Sequence, residues 1–216
     1  MTDPALYTYF RSSAAYRVRI ALNLKGLNVV QIPVHLRKGE QRGEAFRALN
    51  PAGLVPLFAT AEGVLFGQSL AIIEYLEEAY PTPALLQGGL VNRAYAREIA
   101  AAIACDIHPL GNLRVLDKLS GDYGATTEGR AAWNCHWMAA GFAAIEARLA
   151  QTAGSFALGD MPGLADICIV PQLYNARRFG LDLSPYSRLT AVDAAARALP
   201  AFITAAPENQ PDFEEG

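Results

Sequence analysis

Three cysteines and three histidines among 216 residues leave little material for metal chemistry or cross-linking. Cys105, Cys135 and Cys168 stand at wide, unpaired spacings in apolar helical surroundings, which reads as buried free thiols and a reducing compartment. His35, His108 and His136 lack a metal-ligand spacing, so no metal is expected, and no Ser-His-Asp arrangement is suggested. An excess of one charge is missing too. The 18 basic and 21 acidic side chains give a net −3, which offers no electrostatic footprint for nucleic acid. No window reads as long and apolar enough to span a bilayer, and Met1-Thr2-Asp3-Pro4 carries no basic segment ahead of an apolar run. These absences predict a cytoplasmic chain whose partner is a small molecule, not nucleic acid or a membrane. The 52% hydrophobic content is ample for a buried core.

What is present concentrates near the start. Tyr7, Tyr9 and Phe10 suit a strand, and Val18, Ala21, Leu22 and Lys25 suit one face of a helix, which puts Ser12 and Ser13 at or beside its N-cap. Free backbone N–H groups, the positive end of the helix dipole and two hydroxyls then converge among Arg11, Arg17 and Arg19. Such a junction stabilises an anion, and a thiolate is the most interesting one because the same features lower a thiol pKa. No cysteine lies between Tyr7 and Arg19, so the sulfur must arrive on a ligand. The plain structural alternative is a serine cap with arginines as surface charge.

The first eighty residues read as β-α-β-α-β-β-α, a small mixed sheet covered by helices. After the first strand and helix, Val29 to Val34 is β-rich and Glu44 to Leu49 helical; Val55 to Phe58 and Val64 to Phe66 bracket a turn at Glu62-Gly63. Ser69 to Tyr80 has helical periodicity, with Ser69 as the expected N-cap and Ile72, Ile73 and Leu76 on one face. Val55-Pro56 enters a strand where a cis bond would be tolerated. Pro81-Thr82-Pro83 and Gln87-Gly88-Gly89 mark a boundary, after which alanine-dense helical spacing dominates. Domains are expected at 1–83 and 91–216, with Pro207 to Gly216 as a mobile acidic tail. Gly163-Leu164-Ala165-Asp166 has the spacing of a helix start, so Asp166 reads as structural.

Together these segments resemble the glutathione transferase superfamily, and the first helix resembles its zeta class, home of maleylacetoacetate and maleylpyruvate isomerases. The resemblance runs through Arg11-Ser12-Ser13 with Arg17-Val18-Arg19-Ile20-Ala21-Leu22, Leu49-Asn50-Pro51 with Val55-Pro56, and Gln68-Ser69 with the helix behind it. It continues through Asp106-Ile107-His108-Pro109-Leu110, Ala165-Asp166 with Val170-Pro171-Gln172, Arg177-Arg178-Phe179, and Asn209-Gln210-Pro211-Asp212. It implies an α/β thioredoxin-like N-terminal domain followed by an all-α helical domain, the glutathione transferase fold, as a homodimer. It departs from the pattern at Ala14, where many members have cysteine, at Gly163 in place of a serine or threonine cap, and at Arg114, which reads as a clue to substrate.

The resemblance implies glutathione as cofactor. Gln68 and Ser69 would take its γ-glutamyl carboxylate at a helix start. Val55, beside Pro56, would pair with its cysteinyl unit, and His108 and Asn112 match positions lining the glutathione cleft of relatives. Ser12, Ser13 and Arg11 are the catalytic candidates, with Ser13 also counted in the cofactor site. Arg11, Arg114 and Arg178 would bind a small dicarboxylate. Of the neighbouring pair Arg177 and Arg178, the motif position favours the latter, whereas Arg17 and Arg19 read as helix-surface or interdomain ion-pair groups. For His108 the structural alternative is a helix kink at Pro109.

The implied reaction is cis–trans isomerisation of maleylacetoacetate. Reversible thiolate addition turns the carbon–carbon double bond into a single one, rotation follows, and expulsion of sulfur restores the bond as trans without consuming glutathione. Maleylpyruvate isomerisation is the nearest alternative. Glutathione conjugation or dehalogenation of α-halo acids, and glutathione binding without chemistry, also stay open.

Overall fold

The computed structural model describes residues 3–215. Residues 1, 2 and 216, which carry the ends of the expected domains and half of the leader reading, lie outside the described residues. The chain divides into two compact units, one running up to Ala84 and resuming from Leu199, the other Leu85–Ala198. The segment from Leu199 onward, which the sequence reading gives to the helical domain, therefore packs with the first unit.

The first unit is built on a four-stranded sheet of β1 (Ala5–Thr8), β2 (Val30–Pro33), β3 (Leu57–Ala59) and β4 (Leu65–Gly67), in the order β2-β1-β3-β4. β1 runs parallel to β2 and antiparallel to β3, with Leu6 opposite Gln31 and Phe58. β3 and β4 are antiparallel, with Phe58 opposite Phe66. The parallel pair needs a crossover connection, and α1 (Ser13–Leu24) supplies it. α2 (Glu44–Leu49) and α3 (Ser69–Ala79) follow the expected order.

Helix α1 is the centre of this unit. Val18, Ile20 and Ala21 have no exposed surface, and Tyr16 and Leu22 are nearly as buried. Each large side chain sealed this way contributes about 1.5–3 kcal/mol. Arg17 and Arg19, expected on the helix surface or in an interdomain ion pair, are 1% and 2% exposed. The correction has a simple cause: a helix with α3 and the later helix α9 (Pro200–Ala205) packed against it has no solvated side to give them. Arg19 is tolerated in the interior because Nε donates to Ala205 O, Nη1 to Thr8 Oγ1 and Tyr9 O, and Nη2 to Phe10 O. Burial nevertheless lowers its pKa to about 10, against an opposing pull from the Asp212 charge. At the other end of α1, Lys25 Nζ donates to Glu77 Oε2, Tyr80 O and Pro83 O, joining the helix to the end of α3.

The expected mobile tail is docked instead. Gln210 Nε2 donates to Thr204 O and Ala206 O, the Phe213 ring meets Phe10 edge-on at 5.5 Å, and Glu214 pairs with His35 at 3.0 Å. An acidic composition says nothing about partners supplied by distant parts of the chain.

The second unit is helical: α4 (Leu90–Ala101), α5 (Leu113–Tyr123), α6 (Thr127–Thr152), α7 (Leu164–Arg178) and α8 (Ser187–Arg197). Buried α7 packs against both α4 and α8. Between α4 and α5 the backbone passes through a π-helical turn, Ala102–Ile107, and a 3-10 turn, His108–Gly111. Gly141 on α6 lets Ile107 approach so closely that a Cβ there would lie 2.2 Å from Ile107 Cδ1. Contrary to the sequence reading, the run Leu90–Tyr123 contains a window long and apolar enough to cross a bilayer by length and composition. It is not one regular helix, because Asn112 leaves helical geometry at φ −66 and ψ 147. Of the three cysteines expected to be buried, Cys168 is buried, Cys135 half-buried and Cys105 exposed.

Candidate functional site

In the first unit the turn after β1 carries the polar cluster. Ser12 N donates to Tyr9 O at 3.0 Å, closing a four-residue turn. Ser12 is the N-cap of α1, in extended geometry, and its Oγ accepts from Ala15 N at 3.2 Å. That bond uses an oxygen lone pair and leaves the hydroxyl hydrogen able to donate. Ser13 opens the helix and is 6% exposed, and its hydroxyl makes no hydrogen bond among the described residues. The N–H groups of Ser13 and Ala14 are also unpaired there, as expected of a first helical turn. No acidic residue occupies that turn. Arg11 adjoins it with its guanidinium carbon 5.6 Å from the Phe10 ring centre, and it has no ion-pair partner among the described residues. Donors and positive potential therefore gather at the start of α1, an arrangement suited to an anion.

A second cluster forms at the start of α3. Ser69 is not the cap that its sequence suggests. It is the first helical residue, and Gln68 precedes it at φ 68 and ψ 113, the only non-glycine residue at positive φ among those described. Backbone held this way costs about 1–3 kcal/mol and marks a place where geometry matters more than stability. Ser69 Oγ accepts from Arg17 Nη1 at 3.1 Å, so its hydroxyl hydrogen can point to a ligand carboxylate with a guanidinium behind it. Ser13 and Arg17 lie one turn apart on the same face of α1. Arg17 thus ties the helix that opens at Ser13 to the start of α3.

Arg17 is the residue that sequence reasoning missed. The signal was available: apolar residues occur all around α1, leaving no polar face for an arginine. Val55-Pro56 is cis, and Val55 lies just before β3, whose pairing with β1 and β4 starts at Leu57.

The second unit places its candidates in two regions. His108 begins the 3-10 turn containing Pro109, in keeping with a kinked backbone. Asn112 is the N-cap of α5, where its Oδ1 accepts from Arg114 N at 3.3 Å. The Asn112 amide N–H₂ and the second lone pair of Oδ1 are then left for a ligand. The Arg114 side chain is exposed and has no partner among the described residues. At the end of α7, Arg177 forms an ion pair with Asp193, which is 1% exposed. Arg178 instead donates to Asn175 Oδ1 and lies 4.4 Å from the Phe179 ring centre. Both arginines are exposed, but Arg177 is committed to a buried carboxylate, whereas Arg178 is held against its own helix end.

Asp166 belongs to a different kind of helix start. Its Oδ2 accepts from Gly163 N and its Oδ1 from Ala157 N, both at 2.9 Å, inside the second unit. Burial raises its pKa to about 6. It fulfils the expected structural role.

Two family models match the chain: the glutathione S-transferase N-terminal domain over residues 6–84 and the C-terminal domain over residues 138–201. A probable maleylacetoacetate isomerase of Vibrio cholerae is 49% identical over 214 residues, 98% of this chain and 99% of that protein. A maleylpyruvate isomerase of a Ralstonia species is 50% identical, covering 96% and 98% of the two chains. Among solved structures, a zeta-class maleylpyruvate isomerase in its holo form superposes with a TM-score of 0.95 at 48% identity, covering 97% of this chain and all of the other. A maleylacetoacetate isomerase of Anaeromyxobacter dehalogenans, with dicarboxyethyl glutathione and citrate in its active site, gives 0.88 at 42% identity over 98% and 94%.

Proposed function

The chain belongs to the zeta class of the glutathione S-transferase family, and from that membership we propose that it isomerises maleylacetoacetate from cis to trans with glutathione as cofactor. The observation that carries the reading is the start of α1, where two serine hydroxyls and the N–H groups of Ser13 and Ala14, unpaired among the described residues, meet no acidic residue in the helix's own first turn. Relatives near 50% identity carry the same activity name. The reading includes a cytoplasmic homodimer.

The groups present suit the tripeptide. Ser69, with Arg17 behind it, and the N–H groups opening α3 would hold a carboxylate, with Gln68 beside them. Val55 would offer main-chain bonds to the cysteinyl unit. Ser12 and Ser13 would direct hydroxyl hydrogens at the sulfur. When bound, glutathione supplies a nucleophilic thiolate that adds reversibly to the alkene and is returned unchanged.

A thiol of ordinary pKa, about 8.5, is only a few per cent ionised at pH 7, and lowering it by about two units needs roughly 2.7 kcal/mol. A hydrogen bond to a charged group contributes about 1.5–3 kcal/mol, and a helix start adds about 0.3–1 kcal/mol. The serines and α1 together therefore suffice without a protein thiol at Ala14. Arg11 in the first unit would neutralise charge near the reacting atoms. In the second, Arg114 and Arg178 would take substrate carboxylates, and His108 and Asn112 would contribute to the glutathione site.

The Ralstonia relative keeps a second reading in view, maleylpyruvate as the substrate. Side-by-side kcat/KM values on the two substrates decide between them, and a strong preference for maleylpyruvate would reverse our choice. Free glutathione should be undiminished after many turnovers; its stoichiometric loss would mean conjugation instead. Arg178→Ala should weaken use of the diacid while sparing glutathione affinity.

A further inference from the structure

The motif Asn209-Gln210-Pro211-Asp212 plays no part in the site as described so far, yet its last residue reaches the turn that starts α1. Asp212 Oδ2 accepts from Phe10 N at 2.9 Å. On the other side of the same turn, Arg19 Nη2 donates to Phe10 O at 2.9 Å and Arg19 Nη1 to Tyr9 O at 3.3 Å. The peptide groups of Tyr9 and Phe10 are thus fixed by two charged side chains, one from the middle of α1 and one from the end of the chain. All these residues belong to the first unit.

We propose that Asp212 is a positioning residue: by holding the Phe10 N–H, it sets the turn from which Arg11 and Ser12 are presented to the sulfur of bound glutathione. The inference rests on the isomerase reading above. Arg19 is almost fully buried, so its side of the clamp is fixed by the core. Asp212 is half-exposed and comes from the tail, so its side can be removed without opening that core. The tail has independent anchors at Gln210, Phe213 and Glu214, and loss of the Asp212 carboxylate therefore acts on the turn, not on docking of the segment. Without an acceptor, the Phe10 N–H would turn toward water, and Ser12, two residues along, would shift with it. An error of a fraction of an ångström there weakens a hydrogen bond whose value lies in its aim.

The test compares Asp212→Ala, Asp212→Asn and, as a tail control, Glu214→Gln in the full-length protein. Three quantities are read at equal distance below each variant's Tm: kcat/KM on maleylacetoacetate, the thiol pKa of bound glutathione from thiolate ultraviolet absorbance, and Phe10 amide hydrogen exchange by NMR. Asp212→Ala should lower kcat/KM at least tenfold, raise the bound thiol pKa and speed Phe10 exchange. Asp212→Asn keeps an oxygen acceptor and should restore all three to within threefold of wild type or the corresponding half pKa unit; Glu214→Gln should change none of them beyond twofold. Wild-type values in Asp212→Ala, or an asparagine variant no better than the alanine one, would overturn the proposal. Should the alanine variant not fold, a tenfold loss in Asp212→Asn would overturn it equally, and near-wild-type values with slow Phe10 exchange would support it. If the thiol on wild-type protein is no more acidic than in solution, the isomerase reading fails, while Phe10 exchange still decides whether Asp212 holds the turn.

Discussion

Helix α1 opens with no acidic residue in its first turn and with N–H groups at Ser13 and Ala14 that are unpaired among the described residues, whereas α7 opens on Gly163 with an acidic residue of its own, Asp166, in the first turn. Asp166 accepts from Gly163 N and Ala157 N, and Leu85 O accepts from Leu164 N. The physical problem is the same at both ends, because a helix start exposes N–H groups and a positive dipole. In α7 the chain supplies its own buried carboxylate, and the result is a rigid joint. In α1 it supplies hydroxyls and arginines but no carboxylate to the first helical turn, Asp212 being engaged with Phe10 N in the turn before it, and the result is a place for a ligand's anion. A helix start that lacks its own acid, among donors that face no acceptor, is the feature that separates a site from a cap.

The strongest way to break this contrast is to remove the internal anion. Asp166→Ala leaves buried N–H groups at Ala157 and Gly163 without acceptors, and it should cost about 2–4 kcal/mol in denaturant unfolding while the bound thiol pKa stays unchanged. The carboxyl also has a pH signature. Its folded pKa, about 6, lies above the ordinary aspartate value of 3.8, so its contribution to stability is fully present below the unfolded value and is lost as pH rises through about 6. Asp166→Asn should lack that decline. A stability profile with the same slope as wild type between pH 4 and 7 would contradict the assignment.

Next in size is the opposite loss, at α1. Ser12→Ala with Ser13→Ala removes both hydroxyl donors to the sulfur, about 1.5–3 kcal/mol for a bond to a charged acceptor, and kcat/KM should fall by roughly tenfold to a hundredfold with a matching rise in thiol pKa. The single variants sharpen the comparison further. Ser12→Ala also loses the bond to Ala15 N and should cost about 1 kcal/mol of stability, whereas Ser13→Ala, with no internal bond to lose, should leave stability unchanged. Unchanged kcat/KM in all three would refute thiolate activation at α1.

Much of this contrast is legible in the sequence. The β-rich run Val29 to Val34, the Glu44–Leu49 helix and the spacing of Asp166 behind Gly163 are local patterns that survive into the structure, whereas the first strand, read from Tyr7 to Phe10, lies at Ala5–Thr8 and leaves Tyr9 and Phe10 to the turn. What the sequence hides is non-local. Arg17 and Arg19 read as surface charge because their partners, Ser69 and Ala205, are far along the chain. Asp212 and Glu214 read as a solvated tail for the same reason.

Gly163 is a further case, and its prediction is smaller. By local rules serine caps a helix slightly better than glycine, so Gly163→Ser should stabilise α7. In the structure a Cβ at this position would lie 2.7 Å from Leu85 O, the carbonyl that accepts from Leu164 N. Backbone must move or the bond must lengthen, so the substitution should instead cost about 1–3 kcal/mol. A rise in Tm would show that local capping outweighs the close approach.

The smallest effect reverses sign between stability and function. Gln68 is held at φ 68 before α3, in a region that a side chain with a Cβ resists and glycine tolerates. Gln68→Gly should relieve part of the strain, offset by the greater freedom of glycine in the unfolded chain, for a net gain of about 0.5–1.5 kcal/mol. The same change deletes the amide that the glutathione reading assigns to the γ-glutamyl end, so the tripeptide should bind more weakly even as the protein becomes more stable. Gln68→Ala separates the two causes, because it loses the amide but keeps the strain. Equal affinity losses in both variants, with a Tm gain only in the glycine one, would locate the cost of the α3 site in its backbone and its benefit in the side chain; a stability loss in Gln68→Gly would show that the conformation is unstrained in its surroundings.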